Sequence, residues 1–437
     1  MNSTRINLVY LPHPYLNDPI AQLPLGILYV ASSLKKNNYR VIVSNLSSYK
    51  SNSEAIQSLK EADVFGITIT SLELIQANEF AKELKTRFPK CKIILGGAGT
   101  FTPEYIDWNY IDSICQGEGE ITILEMIKDA KSNSLKRIYK GIVVKDLDSI
   151  PYPDRESIGT LKLGGHIFAN HKTYDKTFSV DFKNKGTTTI ITSRGCPFKC
   201  SFCAAPAINY NMRFRNPKEV YKEIKYLYDK YKIKQYRFSD EMFTANPKHV
   251  KEVCELIKPL GLVWRISARV KPLSLDILKT MRSAGCMEIS FGVESFDNDV
   301  LKVLNKGTTA QDNLKAIYMA KKAGMMVRIL FMIRTPGQTP NTIKRNIECL
   351  TGLDYDTIAV TSFVPLPGSE IWNNPDKFNV EILNKNLEDY NFYFFGSSGK
   401  NKLKDIIKLK DRSLKELNEE SEYFRQWIEA NGRINRG

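Results

Sequence analysis

The sequence has no long apolar run and no secretory leader. None of its apolar segments approaches the ~18 residues that a membrane-spanning helix requires, and residues 1–16 do not combine a basic start with an apolar stretch. We therefore expect a cytoplasmic protein without a membrane span. Disulfide staples are not expected either, because a chain of 437 residues can bury a sizeable core without them.

The composition is that of an ordinary folded chain. Hydrophobic residues make up 42% of the sequence and charged residues 25%, which excludes extended disorder and collagen-like repeats. At about 100–200 residues per domain, the length allows two or three domains.

Positive charge is concentrated beyond residue 150. The net charge is +15, yet residues 1–150 hold 17 basic against 16 acidic side chains. The basic remainder could attract an anionic substrate, nucleic acid or an anionic membrane surface, although a solvated Lys-rich surface is the ordinary interpretation. Residues 210–237, aromatic and basic, are the best support for nucleic-acid binding. Helical spacing explains this stretch as a packed helix face, so we do not expect nucleic acid as a partner.

The first 130 residues alternate short β-rich runs with helical stretches. We predict strands at residues 6–10, 40–44, 64–69 and 92–95. This alternation predicts an α/β fold whose first domain is a Rossmann-like, doubly wound parallel sheet, with its ligand crevice at the carboxyl ends of the strands. The residues at two of those ends are candidates to border the crevice: Thr70 and Ser71 after the third strand, and Gly96 and Gly97 after the fourth.

A connector and a second alternating series follow. We place the first domain at residues 1–150 and the connector at 151–187. Residues 188–375 show six strand-helix units, which predict a partial (β/α)6 barrel, since a closed barrel needs eight, with its active face at the strand C-termini. Residues 376–437 form a small helical C-terminal segment, in which an amphipathic helix with apolar positions from Ile406 to Trp427 packs against the barrel.

Three of the eight cysteines cluster in the loop after the first barrel strand: Cys196, Cys200 and Cys203. Structural zinc takes four protein ligands, whereas three thiolates around a four-iron cube leave one iron open to a substrate. The spacing favours such an iron–sulfur centre over zinc. Under the zinc alternative, Cys286 is the candidate for a distant fourth ligand.

This loop resembles the C-x3-C-x2-C motif of the radical S-adenosylmethionine (SAM) enzymes, which carry an aromatic residue before the last cysteine, here Phe202. Further motifs stand in the order seen in the subgroup with an N-terminal cobalamin-binding domain, which includes anaerobic magnesium-protoporphyrin cyclase-like and hopanoid-modifying enzymes. They are Arg194-Gly195-Cys196-Pro197, Asp240-Glu241, Gly292-Val293-Glu294-Ser295, Lys306-Gly307-Thr308, Pro336-Gly337 and Pro365-Leu366-Pro367-Gly368. With Pro24-Leu25-Gly26, Leu95-Gly96-Gly97 and Gly117-Glu118-Gly119-Glu120 in the first domain, the resemblance covers about residues 1–375.

The resemblance implies a [4Fe–4S] cluster on the three cysteines, with its open iron chelated by SAM. One electron would then cleave SAM to a 5′-deoxyadenosyl radical. It also implies contacts to SAM: Phe202 on the adenine, Asp240 and Glu241 at the ammonium, Arg269 at the carboxylate and Glu294 at the ribose. Each of these residues also has a purely structural interpretation: Phe202 could be a core phenylalanine, and each charged residue could belong to a surface ion pair. Cobalamin is implied for the first domain, in the crevice described above.

Two departures from the family pattern stand out. The cobalamin motif D-x-H-x-x-G is absent, because His13 lacks the flanking Asp and Gly; bound cobalamin would therefore have no histidine lower ligand. Where relatives read G-x-P-G-E-T, this chain has Arg334-Thr335-Pro336-Gly337-Gln338-Thr339, which makes Arg334 a candidate to face the substrate.

The leading functional prediction is a cobalamin-dependent radical SAM enzyme that methylates an unactivated carbon of a small molecule or peptide. The net positive charge of the barrel half favours an anionic substrate. The alternative is cyclisation, oxidation or carbon–carbon coupling with the same cofactors. A methylthiotransferase fits poorly, because only Cys91 and Cys115 are available for a second cluster. A metal-stapled nucleic-acid-binding protein is the non-enzymatic alternative. An electron donor such as flavodoxin or ferredoxin is the expected partner.

Overall fold

The computed structural model describes residues 4–13, 23–158, 187–205, 211–394 and 405–431. Most of the predicted connector at 151–187 therefore lies outside the described residues, as does residue 210 of the aromatic and basic stretch. The chain divides into two compact units. The first comprises Met1–Gly165 and Asn386–Asn391, and the second comprises His166–Lys385 and Phe392–Gly437.

The first unit contains a parallel sheet of six strands. They are β1 (Arg5–Tyr10), β2 (Arg40–Asn45), β3 (Val64–Thr68), β4 (Lys92–Gly96), β5 (Ser113–Gln116) and β6 (Ile138–Lys140). The strand order β2-β1-β3-β4-β5-β6 confirms the predicted doubly wound architecture. Our strand predictions did not include β5 and β6, since runs of three or four residues are too short to show a period.

Four helices connect these strands: α1 (Leu25–Lys36), α2 (Asn52–Ser58), α3 (Leu74–Arg87) and α4 (Gly119–Lys131). Strand β3 runs through the core, where Phe65 is fully buried and its ring stacks on Phe88 with 5.6 Å between centroids. Burying a side chain of this size contributes about 2–3 kcal/mol. Because the sheet is parallel, the loops that follow β1, β3 and β4 all lie at its carboxyl edge.

The second unit contains a second parallel sheet of six strands. They are β7 (Thr187–Ile190), β10 (Gln235–Phe238), β11 (Val263–Ala268), β12 (Cys286–Glu294), β13 (Met326–Ile333) and β14 (Thr357–Ser362); a short antiparallel pair, β8 (Ser193–Arg194) and β9 (Arg213–Phe214), follows β7. The order is β7-β10-β11-β12-β13-β14, and within the described residues the end strands do not pair. The predicted partial (β/α)6 barrel is confirmed.

The helices of the second unit begin where the sequence provides caps. They are α5 (Pro217–Tyr231), α6 (Pro247–Ile257), α7 (Leu275–Ser283), α8 (Asn298–Val303), α9 (Ala310–Lys322), α10 (Pro340–Leu350), α11 (Glu370–Asn373) and α13 (Leu414–Ala430). Helix α12 (Leu387–Phe394) begins in the stretch Asn386–Asn391, which belongs to the first unit. At the start of α5, the Asn216 side chain accepts a hydrogen bond from the Lys218 amide. None of the described helices is both long and apolar enough to cross a bilayer.

Alternate residues of the barrel strands face opposite sides of the sheet. On β10, the Tyr236 hydroxyl donates to the Ile224 carbonyl of α5, and on β11 the Trp264 indole donates to Ala284 after α7 over 2.8 Å. These side chains therefore face the surrounding helices. Because successive side chains on a strand point to opposite faces, Arg237 and Arg265 face the inside of the barrel.

The C-terminal segment is less helical than we expected. Residues Ile407–Leu409 form strand β16, which pairs antiparallel with β15 (Val380–Ile382), so the predicted amphipathic helix does not reach back to Ile406. The helix begins at Leu414, where Ser413 and Glu416 form a capping box. Its packing against the barrel is confirmed, since the Phe424 ring stacks on Phe331 of β13 with 5.4 Å between centroids.

Candidate active site

The three clustered cysteines lie in the loop at the carboxyl edge of the barrel sheet. All three are free thiols, with Cys200 buried and Cys196 and Cys203 half-buried. The loop is anchored on the end of α8: the Ser201 hydroxyl donates to the Val303 carbonyl over 2.9 Å, and the Asn305 amide donates to the Lys199 carbonyl over 2.7 Å. The loop conformation is therefore set by contacts outside the loop.

Each sulfur receives an N–H hydrogen bond. The Arg269 guanidinium donates to Cys200 Sγ over 2.9 Å, and the Ala205 amide donates to Cys203 Sγ over 3.4 Å. Burial raises the pKa of the Cys196 and Cys203 thiols, whereas amide hydrogen bonds from Phe198 and Ala205 oppose that rise. Such donors stabilise thiolates, the form in which cysteine binds iron.

The donor chemistry of the loop fits an iron–sulfur cluster. Three thiols with N–H donors at each sulfur are the kind of ligand set that holds a cluster with one iron left open. Within the ranges that the structure describes, no three or more His, Cys, Asp or Glu side chains are grouped as ligands of a metal ion. The assignment of the three cysteines as ligands stays a prediction.

The zinc alternative, in which Cys286 is a distant fourth ligand, is wrong. Cys286 begins strand β12, whereas the cysteine loop lies beyond the opposite, carboxyl end of the sheet. Its thiol is fully buried and donates to the Glu288 carbonyl over 3.6 Å. Burial raises its pKa well above the ordinary value, which is typical of a thiol in an apolar core.

The two acidic residues that follow β10 have different environments. Asp240 is buried, and its Oδ1 accepts from the Thr192 amide and hydroxyl and from the Ser193 hydroxyl, at 2.6–3.0 Å. Burial raises the pKa of Asp240 to about 6. Glu241 is exposed, and its Oε2 accepts from the Gly195 amide over 3.3 Å, directly beside the first cysteine. Asp240 thus braces the loop, while Glu241 faces outward at the cysteines.

Arg269 lies under the cysteine loop. Besides Cys200, its guanidinium donates to the Lys306 carbonyl, and it stacks over the Phe198 ring at 3.8 Å from the ring centroid. The residue predicted to pair with the SAM carboxylate is therefore already engaged with the loop that carries the three thiols.

Glu294 and Lys306 form a buried ion pair at the end of β12, with 2.7 Å between Oε1 and Nζ. Glu294 adopts a left-handed backbone with φ of +64°, a strained conformation that is common at functional sites. Lys306 also lies over the Phe202 ring at 5.5 Å, so it connects two predicted SAM contacts. The sequence analysis quoted Lys306 within a motif and gave it no role; only its position beside Glu294 and Phe202 indicates one.

The expectation that Arg334 faces the substrate is wrong. Its guanidinium pairs with Asp405 over 2.8 Å and also reaches the Ile407 carbonyl of β16, and the residue is buried. It holds the C-terminal strand pair on the barrel. Sequence reasoning could not foresee this contact, which joins residues 71 positions apart.

The four residues predicted to border the ligand crevice of the first unit lie together after β3 and β4. The Ile69 amide donates to the Gly96 carbonyl over 2.9 Å, and the Gly99 amide donates to the Ile69 carbonyl over 3.1 Å, which joins the two loops. The Thr70 amide donates to Glu73 over 2.6 Å. Thr70 and Gly97 are exposed, Gly96 is half-buried and Ser71 is buried.

Glycine is required at one of these positions and leaves space at another. Gly97 has φ of +94°, and a Cβ there would lie 2.4 Å from the Ile69 carbonyl oxygen. At Gly96 a Cβ would meet nothing within 4 Å, so the strand end opens onto free space. A crevice whose floor lacks side chains fits a bulky ligand such as cobalamin.

His13 follows β1 and is buried. Its Nδ1 lies 3.1 Å from Glu73 Oε1, and its amide donates to the Ser47 carbonyl over 3.1 Å. Burial lowers the pKa of His13 to about 4. His13 therefore lies in the loop after the strand.

Two family models match the chain, each over one of the two units. The B12 binding domain matches residues 22–127, and the radical SAM superfamily matches residues 190–350, which include the cysteine loop and the strands up to β13.

Curated relatives cover most of the sequence. An uncharacterized methyltransferase of Pyrococcus horikoshii is 30% identical over 381 residues, which are 84% of this chain and 81% of the relative. An anaerobic magnesium-protoporphyrin IX monomethyl ester cyclase of Rubrivivax gelatinosus is 28% identical over 84% of this chain and 68% of its own length.

Among solved structures, TsrM from Kitasatospora setae, a radical SAM methyltransferase with cobalamin and a [4Fe–4S] cluster bound, has the same fold. The TM-score is 0.65 at 16% identity, over 84% of this chain and 77% of TsrM. Taken with the two family models and the 30% identical relative, this fold identifies the chain as a member of the radical SAM enzymes that carry a B12-binding domain.

Proposed function

We propose that the chain is a cobalamin-dependent radical SAM methyltransferase that methylates an unactivated carbon. Its family uses a [4Fe–4S] cluster, SAM and cobalamin. The proposal depends above all on one observation: the three thiols, Glu241, Arg269 and Glu294 lie at the same edge of the barrel sheet. A cluster and SAM would meet there.

Cys196, Cys200 and Cys203 would hold the cluster, which supplies the electron that cleaves SAM. The chain itself contributes charge and hydrogen bonds to the ligands. Arg269 places a permanent cation on Cys200, and amide groups donate to the other two sulfurs. Arg269 is in this respect a positioning residue, since it acts through Cys200.

Of the two adjacent carboxylates, Glu241 is the better partner for the SAM ammonium. Its side chain is exposed beside the cysteine loop, whereas Asp240 Oδ1 already accepts three hydrogen bonds. Glu294 would accept from the ribose hydroxyls, with Lys306 holding its carboxylate in position. Phe202, half-buried beside Lys306, offers a ring face to the adenine.

The crevice of the first unit would hold cobalamin, which supplies the methyl group for transfer. Gly96 provides the space, and Gly97 and Gly99 keep the two loops in contact. Thr70 and Ser71 add hydroxyl groups at the same edge. Buried His13 is held by Glu73, in agreement with a site that has no histidine ligand to cobalt.

A cyclase that uses the same cofactors is the second candidate. It is favoured by the 28% identical relative, which is named a magnesium-protoporphyrin ester cyclase. The two reactions differ in their by-products, because only methyl transfer converts SAM into S-adenosylhomocysteine.

The test is anaerobic reconstitution of the full chain with iron, sulfide and hydroxocobalamin, followed by dithionite reduction with SAM. We expect both 5′-deoxyadenosine and S-adenosylhomocysteine, the latter in an amount that matches the bound cobalamin. Cys203→Ala is the matched control and should form no 5′-deoxyadenosine. Formation of 5′-deoxyadenosine without S-adenosylhomocysteine would reject methyl transfer in favour of the cyclase. Zinc in place of iron would reject both.

The partners follow from the same proposal. The cluster needs a low-potential electron donor, for which a flavodoxin or ferredoxin is expected, and a reducing compartment such as the cytoplasm keeps the thiols free. Nucleic acid is not expected, since α5 buries Ile224 and Leu227, as its interpretation as a packed helix face requires.

A further inference from the structure

Three arginines and one glutamate face the inside of the barrel. Arg237 of β10 pairs in register with Arg265 of β11, which in turn lies beside Glu288 of β12. Arg328 of β13 is in register with Ser290 of β12. We call Arg237, Arg265 and Arg328 the lumen arginines. They come from three different strands of one sheet.

The cluster contains more positive than negative charge. Arg265 pairs with Glu288 at 3.0 Å between Nη1 and Oε1, and Glu288 is fully buried. Within the part of the chain that the structure describes, Arg237 and Arg328 make no hydrogen bond or close ion pair. Burial lowers the pKa of Arg237 and Arg265, and charge repulsion adds to it, from Arg328 on both and from Arg237 on Arg265. Arg328 still interacts electrostatically with Glu288, so among the described residues the three arginines share this one carboxylate.

Such a cluster is costly unless something binds it. Guanidinium groups stay charged in proteins, so the cluster cannot relieve the repulsion by losing protons. The Nε atoms of Arg265 and Arg328 are also buried without any hydrogen-bond partner among the described residues. Unpaired buried donors cost free energy, and native structures retain few of them.

We propose that the lumen arginines bind an oxyanion of the substrate with about two negative charges, a phosphate or phosphonate ester or a pair of carboxylates. Forked guanidinium donors match such groups. This inference rests on the proposed function, because only that function makes the bound oxyanion part of a substrate. It supplies what that function leaves open, the chemical class of the molecule.

The position of the cluster separates this oxyanion from SAM. Arg237 precedes Asp240 by three residues and Arg265 precedes Arg269 by four, so the lumen arginines lie roughly 10–13 Å below the cysteine edge at 3.3 Å per strand residue. A SAM whose amino and carboxylate groups sit on the cluster would not reach them. A substrate anchored by its anionic end could direct its remaining atoms toward that edge.

The test measures thermal unfolding of the reconstituted full chain with inorganic phosphate, against sodium chloride at equal ionic strength. We expect a saturable rise in Tm of at least about 2 °C with phosphate. Arg237→Gln and Arg328→Gln should each lose that rise. Arg425→Gln removes an exposed guanidinium on α13 and is the matched control, in which the rise should persist.

Several outcomes would overturn the inference. One is an equal rise in the wild type and in both lumen variants, and another is no saturable rise in the wild type. A third is that the lumen variants lose the rise in Tm caused by SAM but keep the rise caused by phosphate. That result would assign the arginines to SAM binding. If the variants do not fold, anomalous scattering from wild-type crystals soaked in tungstate decides, since the ion must lie among the three guanidiniums. Reductive cleavage of SAM by the wild type reports separately on the proposed function.

Discussion

Arg269 donates a hydrogen bond from its guanidinium to Cys200 Sγ over 2.9 Å, and the same side chain fixes the loop that carries Lys306. This contact places a positive charge against one sulfur of the cysteine loop. Because the guanidinium also touches the Lys306 carbonyl, Arg269 connects the cysteine loop to the Glu294 ion pair.

Arg269→Gln removes this cation and keeps all three cysteines. We expect iron binding to weaken by about 10–100-fold, the usual effect of losing a partner that orients a metal ligand. The measurement is the rate of iron release to a chelator after reconstitution. Arg425→Gln, an exposed arginine of α13, should release iron as the wild type does. Equal release from both variants would contradict the role of Arg269.

Replacement of any one of Cys196, Cys200 or Cys203 by Ala should abolish the visible absorbance of the reconstituted cluster. Each thiolate supplies a bond that no other side chain at this edge can replace. Cys286→Ala and Cys349→Ala are the controls, and both should keep the full iron content. Loss of metal in Cys286→Ala alone would revive a four-ligand site and contradict the position of that thiol at the far end of β12.

Gly292→Ala tests the ion pair at the end of β12. The new methyl group would lie 2.7 Å from Glu294 Oε1 and 3.0 Å from Lys306 Nζ, so the buried pair must move. We expect SAM affinity to fall by about tenfold, equivalent to ~1.4 kcal/mol, with iron content unchanged. Equilibrium dialysis with labelled SAM measures it. Gly26→Ala adds a methyl group in open space on α1 and should leave SAM binding intact.

Gly96→Val tests the cobalamin crevice more cleanly than a substitution at Gly97. Valine at Gly97 would collide with the Ile69 carbonyl and disturb the loop with or without a ligand, whereas Gly96 has free space around it. We expect weaker retention of cobalamin on gel filtration, with the cluster spectrum unchanged. Ala430→Val places an exposed valine in the other unit and should retain cobalamin. Full retention by Gly96→Val would remove this crevice as the site.

His13 predicts an acid dependence of stability. Its pKa is lowered to about 4 in the folded chain, from an ordinary value near 6.5, because it is buried beside Glu73 and Tyr10. Between these two values the unfolded chain binds more protons than the folded chain, so stability rises with pH across that window, by at most about 3 kcal/mol. Urea unfolding midpoints at pH 4.5 and 7 should differ less in His13→Gln than in the wild type. An unchanged difference would show that other groups carry the acid dependence.

Much of the fold was predictable because the longer elements carry regular patterns. The central strands of both sheets and helix α5, with its Asn216 cap, are apolar or capped in ways that local sequence reveals. The C-terminal segment was misjudged, because Ile406 and Leu409 also fit a helical period. Pairing of β16 with β15 decided the strand, and a pairing partner 27 residues away is not visible in a local pattern.

By itself, the sequence determined the chemistry that the chain can carry, since three cysteines at a fixed short spacing stay within one loop in almost any fold. The tertiary structure decided which neighbours those thiols have. Adjacent Asp240 and Glu241 differ in burial, because Asp240 is bonded to Thr192 and Ser193 whereas Glu241 reaches the Gly195 amide from an exposed position. Likewise, Arg237, Arg265 and Arg328 are far apart along the chain, and only the register of parallel strands brings their charges together inside one barrel.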